Sequence, residues 1–386
     1  MKKLNGVLPL TLLAVSLAAS AQTSGEQIVL IGLAAPLTGP SARIGKDLQN
    51  GAQLALDDAN AKHPTLNGKP VFYKLASADD QSDPRTAVTV AQQLVDGHVI
   101  GVVGHWNTGC SIAASRVYHD AGIPEIAPAS TGHQYTQQHF GNAFRIMGHD
   151  DSSGAYTGAY AVKTLRAKRI AVMDDRTSFG SGLATQFIKG VEANGGTIVD
   201  REYVDDKTID FSGVLTAIKG KKADLVFFGG IDAQAAPIAR RMRQLQIDAP
   251  LLGAGGFVSQ TFLKLAGNAG DGVTALEPGR PLDRMPGGKA FDAQYRAKYH
   301  VPIELHAPFA YDAAATIIAA VQQTQSTDPV KLVAAIHAID RQGVTGTIAF
   351  DSEGNLKDPA FTIYQVKGGS WDVVDILGGN ASVAAR

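Results

Sequence analysis

The residues of this chain best suited to chemistry are hydroxyls and main-chain N–H groups, not a catalytic set. The segment His105-Trp106-Asn107-Thr108-Gly109-Cys110-Ser111 follows an apolar run ending at Val103 and precedes a helical pattern. Such a loop presents free backbone N–H groups at the positive end of a helix, with two hydroxyls beside them. It can therefore hold a carboxylate without Arg or Lys. A second hydroxyl loop, Ala127-Pro128-Ala129-Ser130-Thr131-Gly132, follows the next apolar run. In open α/β sheets ligands bind outside the carboxyl ends of the strands, so both loops are expected to face one crevice. Each also reads as an ordinary N-cap turn, and on the residues alone the two readings weigh equally.

Other chemistries find little support. His105 and Cys110 are close enough in sequence to suggest a Cys–His nucleophile, but a small buried thiol at a helix start is the better reading. Asp79-Asp80-Gln81-Ser82-Asp83 lacks the Gly and the distal Glu of a calcium loop, and Asp83-Pro84 reads as a helix cap. There is no Gly-x-Ser-x-Gly, no phosphate-binding Gly-rich loop, and no paired Cys or His at metal spacing. No cofactor, metal or enzyme activity is expected. The formal net charge of -1 and the absence of a dense basic cluster argue against nucleic acid or an anionic membrane as partner.

The elements that position these loops alternate along the chain. Apolar β-rich runs at 28–34, 71–75, 99–103 and 125–127 are separated by helical patterns at 48–61, 86–95 and 111–121. The pattern restarts after Phe144-Arg145-Ile146, with strands at 169–173, 197–203, 225–228 and 250–252 and helices at 153–164, 183–193, 213–218 and 235–245. Short apolar runs between helical patterns mean βαβ units and parallel sheets, here two doubly wound α/β units in series. Later helices at 288–299, 309–323 and 329–339 and a strand pair, 361–366 with 371–377, complete the two lobes. The chain then crosses between lobes three times, a hinge suited to opening and closing around a ligand. The expected lobes are 22–148 with 278–352, and 149–277 with 353–386.

The start of the chain sets the compartment. Lys2 and Lys3, the apolar run Leu8 to Ala19 and the small-x-small site Ala19-Ser20-Ala21 have the order of a secretory signal peptide, residues 1–21. The mature chain is expected to begin at Gln22 in the periplasm. No Cys follows that site; the single Cys110 leaves neither a lipid anchor there nor an internal disulfide. A chain this long buries enough surface to be stable without one.

Further marks run through the chain: Pro36-Leu37-Thr38-Gly39 with Gly45-Lys46-Asp47, Asp79-Asp80 with Asp83-Pro84, Gly101-Val102-Val103-Gly104-His105, Phe179-Gly180-Ser181-Gly182-Leu183-Ala184, Phe228-Gly229-Gly230, and Phe350-Asp351-Ser352-Glu353-Gly354. In this order they resemble the periplasmic binding proteins for branched-chain amino acids (leucine, isoleucine, valine) of ABC transporters, over nearly all of the mature chain. The resemblance implies a type I periplasmic binding fold and an amino acid or related carboxylate between the lobes. It also implies delivery to a membrane permease with a separate ATPase; nothing in the chain demands more than a monomer. A sensory subunit that presents its ligand to a receptor is the alternative.

Carried over by position, the resemblance gives the ligand carboxylate to Thr108, Ala129 and Thr131, with Asn107 and Ser130 in the same loops. The rest of the pocket departs from the family. Ile44 stands where the family often has an aromatic, Phe179 where it has Tyr, and Ile231 where it often has an aromatic or large side chain. Trp106 and His306 fall where family members line the pocket. At Gly255, in Gly253-Ala254-Gly255-Gly256, the family places a Glu or Asp that holds the ligand's ammonium. Two readings follow: Asp232, beside the usual contact position at Ile231, replaces that acid, or the ligand has no α-ammonium and is an aliphatic or aromatic carboxylate.

Overall fold

The computed structural model describes residues 26–379; the expected signal peptide and the start at Gln22 lie outside them. The first part of the chain runs β1 (Gln27–Ala35), α1 (Ala42–Asn60), β2 (Thr65–Leu66), β3 (Lys69–Asp79), α2 (Pro84–Asp96), β4 (Val102–Gly104), α3 (Thr108–Asp120), β5 (Glu125–Ala127), α4 (Gln134–Gln137) and β6 (Ala143–Arg145). These strands form one six-stranded sheet in the order β2-β3-β1-β4-β5-β6. It is parallel except at the β2–β3 hairpin. Burial on both faces explains its apolar runs: Ile31, Leu33 and Val103 meet one set of helices, and Ala34 and Val102 meet the other, Cys110 of α3 among them.

The second sheet is built from β7 (Arg169–Asp174), β8 (Thr197–Tyr203), β9 (Leu225–Gly229), β10 (Leu251–Ala254) and β11 (Thr274–Pro278), with α5 (Asp150–Ala159), α6 (Ser178–Ala193), α7 (Ser212–Gly220), α8 (Asp232–Gln244) and α9 (Gln260–Ala266) around it. After β11 come α10 (Gly288–Tyr299), α11 (Ala307–Thr324), α12 (Pro329–His337) and the small pair β12 (Asp340–Gln342) and β13 (Thr347–Ala349). The chain ends on β14 (Ala360–Lys367) and β15 (Ser370–Gly378). The sheet order is β15-β14-β11-β10-β9-β7-β8, with β14 antiparallel to both of its neighbours, β11 and β15. Two doubly wound lobes thus stand in series.

The chain passes between the lobes three times: between β6 and α5, after β11, and between β13 and β14. The last crossing follows Asn355, whose backbone still pairs with Arg145 of the first sheet, so it lies a few residues beyond the expected division at 352/353. Among the described residues no helix is long and apolar enough to cross a membrane.

Local signals account for most boundaries. Asp83 accepts N–H bonds from Arg85 and Thr86 and caps α2 with Pro84 at its first position, and Asp328 with Pro329 does the same for α12. The turn between β14 and β15 is Gly368-Gly369, both with positive φ. At Gly51 a Cβ would stand 2.1 Å from the Ala307 carbonyl oxygen, so only glycine lets α1 lie this close to α11. Three differences stand out. Helix α1 begins six residues before the expected 48, and the expected helix at 153–164 starts at Asp150 and finishes in a π-helical turn, Tyr160–Thr164. Strand β11 was unforeseen: its sequence, Thr-Ala-Leu-Glu-Pro, offers neither an apolar run nor clean alternation.

Candidate functional site

The two hydroxyl loops sit at the carboxyl ends of β4 and β5 and are tied to each other. The Gly132 N–H donates to Thr108 Oγ1 at 3.2 Å. The Ser111 and Ser130 hydroxyls are 2.6 Å apart, and Ser111 Oγ also accepts the His105 N–H. Ser130 Oγ donates to the His105 carbonyl at 3.1 Å and approaches that of Trp106 at 3.4 Å. Ser130 is therefore occupied in joining the loops, while Thr108, at the first turn of α3, accepts one bond and keeps its own hydroxyl proton to give. Asn107 is the N-cap of α3 but makes no side-chain cap bond, and its buried Oδ1 has no partner. Trp106 and Ala129 are half-buried against the first lobe's core.

Thr131 is buried. Its hydroxyl lies near the Asp150 carboxyl but forms no well-made hydrogen bond, while its carbonyl accepts the Asp150 N–H at 2.9 Å. Asp150 opens α5, so this loop is joined to the first crossing between lobes. Burial pushes the Asp150 carboxyl up to about 7. Behind the loop lies Arg145, fully buried, whose Nη2 donates to the Gly132 carbonyl at 3.0 Å and to Thr136 at 3.1 Å. It was not singled out in the sequence, yet it sets a buried positive charge behind the loop proposed to hold an anion. The signal was present in Phe144-Arg145-Ile146: a charged residue inside an apolar strand.

On the second lobe the candidates cluster at the starts of α6 and α8 and in the loop after β10. Thr177 caps α6 by accepting the Gly180 N–H at 2.9 Å, which fixes Phe179 in the first turn. A Cβ at Gly255, where φ is +60°, would stand 3.3 Å from the Phe179 ring, and one at Gly256 would stand 3.2 Å from Ile231. Ile231 is the N-cap of α8 and Asp232 its first residue. Under this loop lies Glu277, at the end of β11. Its Oε1 accepts the N–H groups of Gly256, Phe257 and Val258 at 2.7, 2.9 and 3.1 Å. Burial nevertheless pushes its carboxyl up to about 7.

The lobes meet in two places around these groups. A Cβ on Gly109 would stand 3.4 Å from Ser178 Oγ, so the starts of α3 and α6 face one another. Across the other side, Arg43 of α1 pairs with Asp232 and also with Glu304, at 2.7 Å. Asp232 accepts a further bond from Ser259 at 2.5 Å. His306, the N-cap of α11, is held by Asp47 of α1, whose carboxylate accepts the N–H groups of residues 304–307. The His306 ring is buried with Nδ1 unpartnered; burial and the nearby Arg43 push its pKa down to about 3, so it is neutral. Ile44 is buried on the same helix. The candidates thus form one ring, from Thr108 and Thr131 through Phe179, Gly255 and Ile231 to Asp232, then across Arg43 to Ile44 and His306. A cavity of about 1270 Å³ lies elsewhere, against all three crossings at Gly148, Arg280 and Pro359, and none of the ring residues line it.

The Cys–His alternative does not survive this geometry. Cys110 is fully buried, and burial pushes its thiol far above its usual range. His105 is spent on Asp80, at 2.7 Å, and on Tyr118. Among the described residues no cluster of His, Cys, Asp or Glu is placed to hold a metal ion.

Residues 29–370 match the periplasmic binding protein family. This chain belongs to that family. The binding protein is 34% identical over 363 residues to an amino acid binding protein of Pseudomonas aeruginosa, covering 93% of this chain and 94% of that one. A Leu/Ile/Val-binding protein homolog of Brucella abortus is 31% identical, with 89% and 91% covered. Among solved structures, the branched-chain amino acid transporter substrate binding protein LivJ of Streptococcus pneumoniae, in complex with isoleucine, superposes with a TM-score of 0.81 at 27% identity, covering 91% of this chain and all of that one. The family's members are binding proteins.

Proposed function

We infer that this protein is the solute-binding component of an ABC importer. It is exported to the periplasm by residues 1–21, closes its lobes on a small carboxylate, an amino acid or a related acid, and delivers it to an inner-membrane permease. Closure desolvates the ligand and stabilises the lobe arrangement that the permease recognises. The protein works as a monomer, without catalysis, cofactor or nucleic acid. Thr108, Ala129 and Thr131 hold the carboxylate, with α3 supplying N–H groups and Arg145 a positive field behind them. Phe179, Ile231 and the Gly255 loop close over the ligand's body, with Ile44, Trp106 and His306 at its sides.

One observation carries this reading. The buried Thr131 hydroxyl lacks a well-made bond within the protein, in a loop tied to a helix start and backed by a buried guanidinium. Buried polar groups are nearly always satisfied, and a carboxylate satisfies this one. The test is calorimetric titration of the unfolded-and-refolded, ligand-stripped protein with amino acids, 2-oxo acids and aromatic acids. Binding by at least one carboxylate, lost on Thr131→Val, is expected; silence across all three groups contradicts the reading. N-terminal sequencing of the periplasmic form is expected to begin at Gln22.

A further inference from the structure

We propose that the ligand of this cleft is a monocarboxylate without an α-ammonium group. This rests on the carboxylate reading above and narrows it. An ammonium enclosed between the lobes needs an anion of its own, because an unpaired buried charge is among the costliest things to enclose. The acids nearest the Gly255 loop are otherwise engaged. Position 255 has no side chain, its φ of +60° disfavours one, and the Phe179 ring lies 3.3 Å from where a Cβ would stand.

Asp232, the natural substitute, is already neutralised: it accepts from the Arg43 guanidinium and from Ser259. Arg43 in turn is shared with Glu304, which engages that acid too. Glu277 is committed by one oxygen to three backbone N–H groups of the loop, and its raised pKa means that much of it carries a proton near neutral pH. Asp150 lies on the carboxylate side, near the Thr131 hydroxyl and in the field of the buried Arg145, away from the Gly255 loop where an α-ammonium would need its partner.

The remaining group on the pocket side is uncharged. His306 is neutral and buried with Nδ1 unpartnered. A neutral ring nitrogen can exchange one hydrogen bond with a keto or hydroxyl oxygen but cannot balance an ammonium. Ile44, Phe179 and Ile231 add apolar surface. The pocket chemistry therefore fits a branched aliphatic 2-oxo acid or an aromatic acid, the two having in common one carboxylate, an apolar body and no amine.

The test is titration calorimetry of the ligand-stripped protein with matched pairs: leucine against its 2-oxo acid, and phenylglycine against phenylacetate. In at least one pair the amine-free member is expected to bind about tenfold tighter or more. Arg43→Gln releases Asp232 and should move that ratio toward the amino acid; taking a ratio cancels any general effect on lobe closure. Leucine binding as tightly as its 2-oxo acid overturns the inference while leaving the carboxylate site intact. Loss of that leucine binding in Glu277→Gln would then identify Glu277 as the ammonium acceptor. If no member of either pair binds, the carboxylate reading itself has failed.

Discussion

Replacing Arg43 with Gln perturbs the contact that joins the lobes across the cleft. Asp232 is nearly buried, its side chain only 6% exposed, whereas Arg43 is 27% exposed. A hydrogen bond to a charged group is worth ~1.5–3 kcal/mol, and an exposed ion pair ~0–1 kcal/mol. The half-buried pair falls between, at about 1–2 kcal/mol, because Asp232 keeps Ser259 and the amino end of α8 when the guanidinium is gone. In an open arrangement the partners separate and rehydrate, so that energy bears on closure. Apparent affinity for any carboxylate is expected to fall by roughly 5–30-fold. Calorimetry of wild type and variant measures the loss, and small-angle scattering of the ligand-free proteins reports the change in closed fraction. Raising ionic strength should weaken wild-type binding more than that of the variant. Unchanged affinity together with an unchanged radius of gyration refutes the reasoning.

The two threonines should separate folding from binding. Thr108→Val strands the Gly132 N–H and is expected to cost ~1–3 kcal/mol of stability in urea unfolding, as well as affinity. Thr131→Val removes a hydroxyl with no well-made bond in the protein, so stability should hold within ~0.5 kcal/mol while carboxylate affinity drops. Glu277 makes stability pH-dependent: its folded pKa of about 7 lies above the ordinary 4.5, so the folded state binds the extra proton. The contribution is complete below about pH 4.5 and declines, by up to about 1.4 kcal/mol per pH unit, as pH rises to 7. Glu277→Gln should therefore gain stability relative to wild type between pH 5 and pH 8; a constant difference in melting temperature contradicts this. Gly51→Ala forces α1 off the Ala307 carbonyl and should lower stability by ~1–3 kcal/mol, read by thermal unfolding.

Much of the architecture was legible because parallel strands buried on both faces leave short apolar runs that helices separate. The capped starts at Asp83 and Asp328 were equally plain, being written in two adjacent residues each. Strand β11 escaped because its inward polar group, Glu277, earns its place from loop N–H groups that belong to a different strand–loop unit. The carboxylate loops were visible as hydroxyls after strands, but Ser130 looked the same as Thr131. The family resemblance singled out Thr131, and the structure adds that Ser130 ties the loops together while the Thr131 hydroxyl has no well-made bond. Arg43 was invisible for a like reason: its partners are Asp232 and Glu304, far away in sequence, and an isolated Arg on a helix face reads as solvated. Asp232 was noticed as a stand-in for the acid missing at Gly255, but its guanidinium partner lies outside any local pattern.

The account centres on an anion held by the Thr108 and Thr131 loops. The most direct measurement is calorimetric comparison of each bound carboxylate with its primary amide, which keeps shape and volume and removes the charge. The account predicts that the acid binds and that the amide is weaker by about 100-fold, ~2.7 kcal/mol, with Thr131→Val narrowing the gap. An amide that binds as tightly as its acid contradicts the carboxylate site.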